Sequence, residues 1–264
     1  MKFIFCFLTI TFLTSCTPST EQMANQNGFK HQYIQTSKFK LTTYQKITQP
    51  GHDLDIYIEG DGNAWSFRHR ASSDPSPRSA TTMQLATLDS NPNVVYIARP
   101  CQYSPDDLKT VCEEKFWTYA RYSLPVLQSL DNGINEIKQQ TGAERINLIG
   151  YSGGGALVVL LAAQRTDIAS IKTIAGNLDL LTMEKIHNTS ALTESLDPLT
   201  VATRVKHIPQ IHFAGAKDSI VPPIIANNFV HAAQLSSRHI KIIADATHNK
   251  NWDKHWPELL KYVP

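Results

Sequence analysis

The stretch Ile146-Asn147-Leu148-Ile149-Gly150-Tyr151-Ser152-Gly153-Gly154 runs into Gly155-Ala156-Leu157-Val158-Val159-Leu160-Leu161-Ala162-Ala163-Gln164. Its first four residues read as a short buried strand, and the ten from Gly155 as an apolar helix buried all round. Between them lies G-x-S-x-G. A chain of this length carries that pattern by chance about one time in ten, so the setting decides. Strand, sharp turn and helix is the setting the motif requires, because the glycines let the backbone turn tightly enough to hold the serine Oγ at the strand tip. A dinucleotide fingerprint would need glycine where Ser152 stands, and the Gly-Lys-Ser/Thr of a P-loop is absent.

Outward from this turn the same alternation repeats. Residues 54–58, 94–98, 171–175, 211–214 and 240–244 read as further strands, several of them unbroken by charge. Extended stretches near Tyr33 and Tyr44 predict an antiparallel edge. Helices are predicted over 78–88, with Ser76-Pro77 as its start, and over 124–140, where Val126, Leu130, Ile134 and Ile137 form one apolar face. Two more are predicted over 222–235 and 252–262. This pattern gives an α/β fold: a mostly parallel central sheet covered by helices on both faces. The long interval 177–207 between two strands is a short cap insertion. Its leucines, Met183 and Ile186 either line an acyl pocket or form a small helical pair packed on itself.

A serine needs a base, and the base an orienting acid. Asp218 lies in Gly215-Ala216-Lys217-Asp218-Ser219-Ile220-Val221-Pro222, after the strand 211–214, and His248 follows the strand 240–244. In this order of Ser, Asp and His the chain resembles the α/β-hydrolase superfamily, from about Leu54 to the C-terminus. The resemblance implies Ser152 as nucleophile, His248 as base and Asp218 as acid. Asp179, after the preceding strand, is a second acid candidate. His239 begins a strand and His255 lies within a helix, so neither fits the base. The resemblance also implies an oxyanion hole made by the amide of Gly153 and one from the loop Glu59-Gly60-Asp61-Gly62-Asn63, either Asp61 or Gly62. The superfamily usually begins that loop His-Gly, so Glu59 departs from its pattern. Trp65, Phe67, Phe116 and Trp117 are apolar candidates near the mouth of the site. Arg68, Arg70, Arg78 and Arg121 either bind an anionic group or, on the safer reading, are solvated surface.

The N-terminus reads separately. Lys2 precedes an uncharged apolar run from Phe3 to Leu13, which is signal-peptide length and too short to span a bilayer. Leu13-Thr14-Ser15-Cys16 then resembles a bacterial lipobox. This predicts a signal peptide over 1–15, lipidation of Cys16, a polar tether over 16–28 and one folded domain over 29–264. The mature protein would be exported and anchored to a bacterial membrane, at the outer membrane or the periplasmic face. An oxidising compartment then predicts a disulfide between the two remaining cysteines, Cys101 and Cys112.

Of the 264 residues 42% are hydrophobic and 18% charged, which excludes intrinsic disorder. A net charge of +2 lacks the electrostatic footprint of a nucleic-acid binder. No ligand spacing suggests a metal, and no motif suggests a cofactor. The predicted function is a serine hydrolase cleaving a small-molecule or lipid-like carboxylic ester. The alternatives are a thioesterase, amidase or peptidase on the same fold, or a non-catalytic lipoprotein with a hydrolase-like body. Oligomeric state is not legible in the sequence.

Overall fold

The computed structural model describes residues 18–67 and 70–262. The signal segment, Cys16 and Arg68 lie outside the described residues. In chain order the elements are α1 (Thr20–Gln26), β1 (Lys30–Gln35), β2 (Lys40–Ile47), β3 (Leu54–Ile58), β4 (Trp65–Phe67), β5 (Arg70–Ala71), α2 (Thr81–Thr87), β6 (Asn93–Ile97), α3 (Asp107–Thr110), α4 (Leu124–Thr141), β7 (Ile146–Tyr151), α5 (Gly153–Ala162), β8 (Ile168–Ile174), α6 (Leu180–His187), β9 (Gln210–Gly215), α7 (Pro223–Ala232), β10 (Ile240–Ile243) and α8 (Trp252–Leu259). Eight strands form one sheet in the order β1-β2-β6-β3-β7-β8-β9-β10. β1, β2 and β6 pair antiparallel, which is the predicted edge, and β6 through β10 pair parallel.

The predicted strand run at 54–58 is β3 without change. Leu54, Ile56 and Ile58 belong to the buried cluster that also holds residues of α4, α5 and α7, while Tyr57 belongs to the cluster on the opposite face with Trp252 and Trp256 of α8. That two-sided burial is why the central strands read as unbroken apolar runs. All ten residues of α5 are buried, at roughly 1.5–3 kcal/mol for each large side chain removed from water. The chain passes from β3 outward to β6, then back across to β7 on the other side of β3. The reversal leaves a crevice at the carboxyl ends of β3 and β7, where open α/β sheets bind their ligands.

Three local expectations change. Part of the predicted tether is helical. Ser19 and Gln22 form a reciprocal capping box at the start of α1, Ala24 is buried against the core, and Thr20 Oγ1 lies 2.9 Å from Tyr103 Oη. The helix predicted from residue 78 starts at Thr81 instead, because Ser76 Oγ accepts from the Tyr103 amide at 2.7 Å and is not a cap. The cap interval is not a self-packed pair. The 3-10 turn Pro198–Arg204 packs on α5 and α7, while α6 borders a cavity.

Candidate active site

Ser152 follows β7 with φ +52° and ψ −121°, a region costly to any residue with a Cβ. Three bonds hold it there. Its amide donates to the Ile174 carbonyl at 2.9 Å, and its carbonyl accepts from Gly155 at 2.9 Å and Asn177 at 3.0 Å. The motif's two outer glycines touch: a Cβ at Gly150 would collide with the Gly154 carbonyl. The turn therefore presents the hydroxyl above the start of α5.

His248 and Asp218 arrive on the loops after β10 and β9. His248 Nε2 lies 3.0 Å from Ser152 Oγ, and its Nδ1 lies 2.9 Å from Asp218 Oδ2. A carboxylate only accepts, so the proton belongs on Nδ1 and Nε2 is free to accept from Ser152. The Asp218 side chain is fully buried, and its other oxygen accepts from the amides of Ile220 and Val221 at 2.8 Å each. The His248 carbonyl accepts from Tyr151 Oη at 3.0 Å and Trp252 Nε1 at 2.8 Å, which fixes the histidine loop. Asp179 does not join them. It caps α6 by accepting from the Thr182 amide at 2.9 Å, and Asn228 Nδ2 donates to its other oxygen at 2.7 Å.

The loop after β3 lies against the serine turn. An added Cβ at Gly60 would sit 3.2 Å from Ser152 Cβ, and one at Gly153 would collide with the Asp61 carboxylate. The Glu59 side chain is buried. Its carboxyl accepts from the Gly60 amide at 2.7 Å, from Tyr96 Oη at 2.7 Å and from Thr82 Oγ1. Burial raises its pKa, against the pull of those donors. Asp61 is bound by Arg99 Nη1, by Arg121 Nη1 at 2.8 Å and by Tyr122 Oη at 3.0 Å. Burial alone would raise the Asp61 carboxyl; the Arg121 and Arg99 guanidiniums override it and bring it down to about 2. Arg121 is thus a partner of the site and not the solvated surface residue its sequence suggests.

A cavity of about 840 Å³ adjoins this loop. Of the predicted pocket residues, Leu180, Met183 and Leu192 line it, as do Trp65 and Phe67. Phe116 and Trp117 are instead buried in the core. Ser152 is not on the cavity wall. The cavity reaches the site through Asp61, Asn177 and Ile220, each in contact with the serine turn or the Asp218 loop. Cys101 and Cys112 form a disulfide. Among the described residues, no group of three or more His, Cys, Asp or Glu side chains could hold a metal ion, and no helix is long and apolar enough to cross a membrane.

No protein-family model and no curated protein sequence matches the chain. Solved structures do match. The acylaminoacyl peptidase of Pyrococcus horikoshii is 17% identical with a TM-score of 0.63, over 88% of this chain and 40% of that one. An esterase of Pyrococcus furiosus is 12% identical with a TM-score of 0.64, over 89% and 92%. Est1E of Butyrivibrio proteoclasticus is 14% identical with a TM-score of 0.60, over 88% and 96%. The chain therefore has the α/β-hydrolase fold, and it spans less than half the length of the peptidase.

Proposed function

We propose that the protein is a serine hydrolase of carboxylic esters. The observation that carries this reading is the hydrogen-bonded chain from Ser152 Oγ through His248 to Asp218. Ser152 Oγ attacks the ester carbonyl while His248 Nε2 takes its proton, and Asp218 holds the imidazole in the required tautomer. The amides of Gly153 and Asp61 bind the tetrahedral oxygen. The carbon–oxygen bond to the alcohol then breaks, and His248 returns the proton to the leaving alcohol. Water deprotonated by His248 attacks the acyl-enzyme and releases the acid, restoring Ser152.

A fluorophosphonate probe tests this directly, since it reports an activated serine without needing the substrate. Labelling of wild-type protein at Ser152, lost in Ser152→Ala, is the expected result. An unlabelled wild-type protein favours the non-catalytic lipoprotein alternative. Lipidation of Cys16 and export belong to the same proposal. The lipobox-like sequence supports them, as does a disulfide, which persists in oxidising compartments. Radiolabelled palmitate should enter the wild-type chain and not Cys16→Ala.

A further inference from the structure

Among the described residues the segment 99–103 after β6 makes no hydrogen bond to the triad, yet it grips the loop after β3 at two points. Gln102 is buried, 2% exposed. Its Nε2 donates to the Gly60 carbonyl at 3.0 Å, and its Oε1 accepts from the Arg99 amide at 3.1 Å. Arg99 binds the Asp61 carboxylate through Nη1, and its Nη2 donates to the Arg121 carbonyl at 2.6 Å. The segment is itself constrained. Cys101 and Tyr103 hold left-handed φ values of +73° and +54°, and Cys101 is tied to Cys112.

In a trans peptide the C=O and N–H point in opposite directions. A Gly60 carbonyl held by Gln102 therefore turns the Asp61 N–H away from Gln102. Among the described residues that N–H has no hydrogen-bond partner. The loop around it contacts Ser152 through Gly60 and Gly153 through the Asp61 carboxylate. The Gly62 amide, the other candidate donor, likewise has no partner among the described residues, but it belongs to the next peptide, whose carbonyl Gln102 does not hold. An uncommitted amide fixed beside a nucleophile is what an oxyanion donor must be, because catalysis needs the dipole in place before charge develops.

We propose that Gln102 is a positioning residue: by holding the Gly60 carbonyl it aims the Asp61 amide at the tetrahedral oxygen, while Arg99 and Arg121 anchor the same residue through its carboxylate. This rests on the hydrolase reading above. Losing the Gln102 bond frees the peptide to rotate and misdirects a donor that acts only in the transition state. The loss falls on kcat and spares KM.

The test compares wild type with Gln102→Leu and the near-isosteric Gln102→Glu, on a short p-nitrophenyl ester and on a trifluoromethyl ketone whose serine adduct carries an oxyanion. The expected result is a fall in kcat of about tenfold or more with KM within about twofold. The inhibition constant for the ketone should weaken by the same factor. Should the leucine variant not fold, the glutamate variant carries the measurement. Unchanged kcat overturns the proposal. So does a fall in kcat with ketone affinity unchanged, or one matched by a rise in KM, since either marks general loosening. A wild type that the fluorophosphonate does not label removes the hydrolase reading itself, and this proposal with it. A labelled, active wild type confines any failure to Gln102.

Discussion

Ser152 shows how much one residue's backbone can be made to carry. Its positive φ costs on the order of 1–3 kcal/mol, and the surrounding hydrogen bonds sustain it. On the proposed mechanism Ser152 and His248 act as a unit, so Ser152→Ala and His248→Ala should each lower kcat by several orders of magnitude. The double variant should be little worse than either. Steady-state rates on a p-nitrophenyl ester check this, and additive losses would contradict it. A second residue-scale case lies far from the site. Asp55, on β3, accepts from Asn91 and Asn147, each at 2.8 Å. Burial, and next the Asp89 charge, push its carboxyl up to about 7. A pKa raised on folding contributes stability at low pH that is lost as pH climbs from 3.8 through about 7. Asp55→Asn should therefore stabilise the fold by on the order of 1–3 kcal/mol at pH 8 and by nothing below pH 4. Urea unfolding at the two pH values reads the difference; equal effects at both would show that the carboxylate is not disfavoured by the fold.

Among elements, the sequence discloses most where periodicity is long or the run is buried on both faces. β3 and α4 fall almost where expected, because two-sided burial and one apolar helix face leave marks in composition. The placement of Asp218 and His248 is legible for a similar reason: each follows a strand in the expected order. What stayed hidden depends on partners distant in sequence. Arg121 reads as surface because nothing local records that it meets Asp61. Glu59 reads as an anomaly until Thr82 and Tyr96 are seen to satisfy it. α1 hid in a polar stretch whose capping box, Ser19 with Gln22, was the available signal. The disulfide element carries a prediction of its own. Closing so short a loop is worth about 2–3 kcal/mol in the chain-entropy model. The double variant Cys101→Ser/Cys112→Ser should lose about that much in denaturant unfolding. It should lose kcat as well, because Cys101 adjoins Gln102; a variant that is less stable but equally active would separate the bridge from the site.

At the scale of the molecule, the sheet reversal at β3 and β7 sets where the candidate site lies, and α6 and β4 line the cavity beside it. The cavity walls are largely apolar, with Trp65, Phe67, Leu180, Met183 and Leu192 among them, so under the proposed esterase reading they suit an extended acyl or alcohol group better than a polar one. Met183→Trp should fill part of that space. KM for a long-chain p-nitrophenyl ester should rise about tenfold, while kcat and KM for the acetate stay within about twofold. A uniform change across chain lengths would show that the substrate lies elsewhere.

The docking of α1 bears on how the protein would sit in the cell. Thr20 is already part of the folded body, held to Tyr103 and the core. Only the residues between Cys16 and Thr20 remain to span the gap to a lipid on Cys16, a reach of roughly 14 Å fully extended. If Cys16 carries the proposed lipid, such a connection would be a mount more than a leash. The body would ride flush with the bilayer and keep nearly one face toward it, instead of sweeping the surrounding space. Which molecules it could meet would then be decided as much by that fixed posture as by the shape of the pocket.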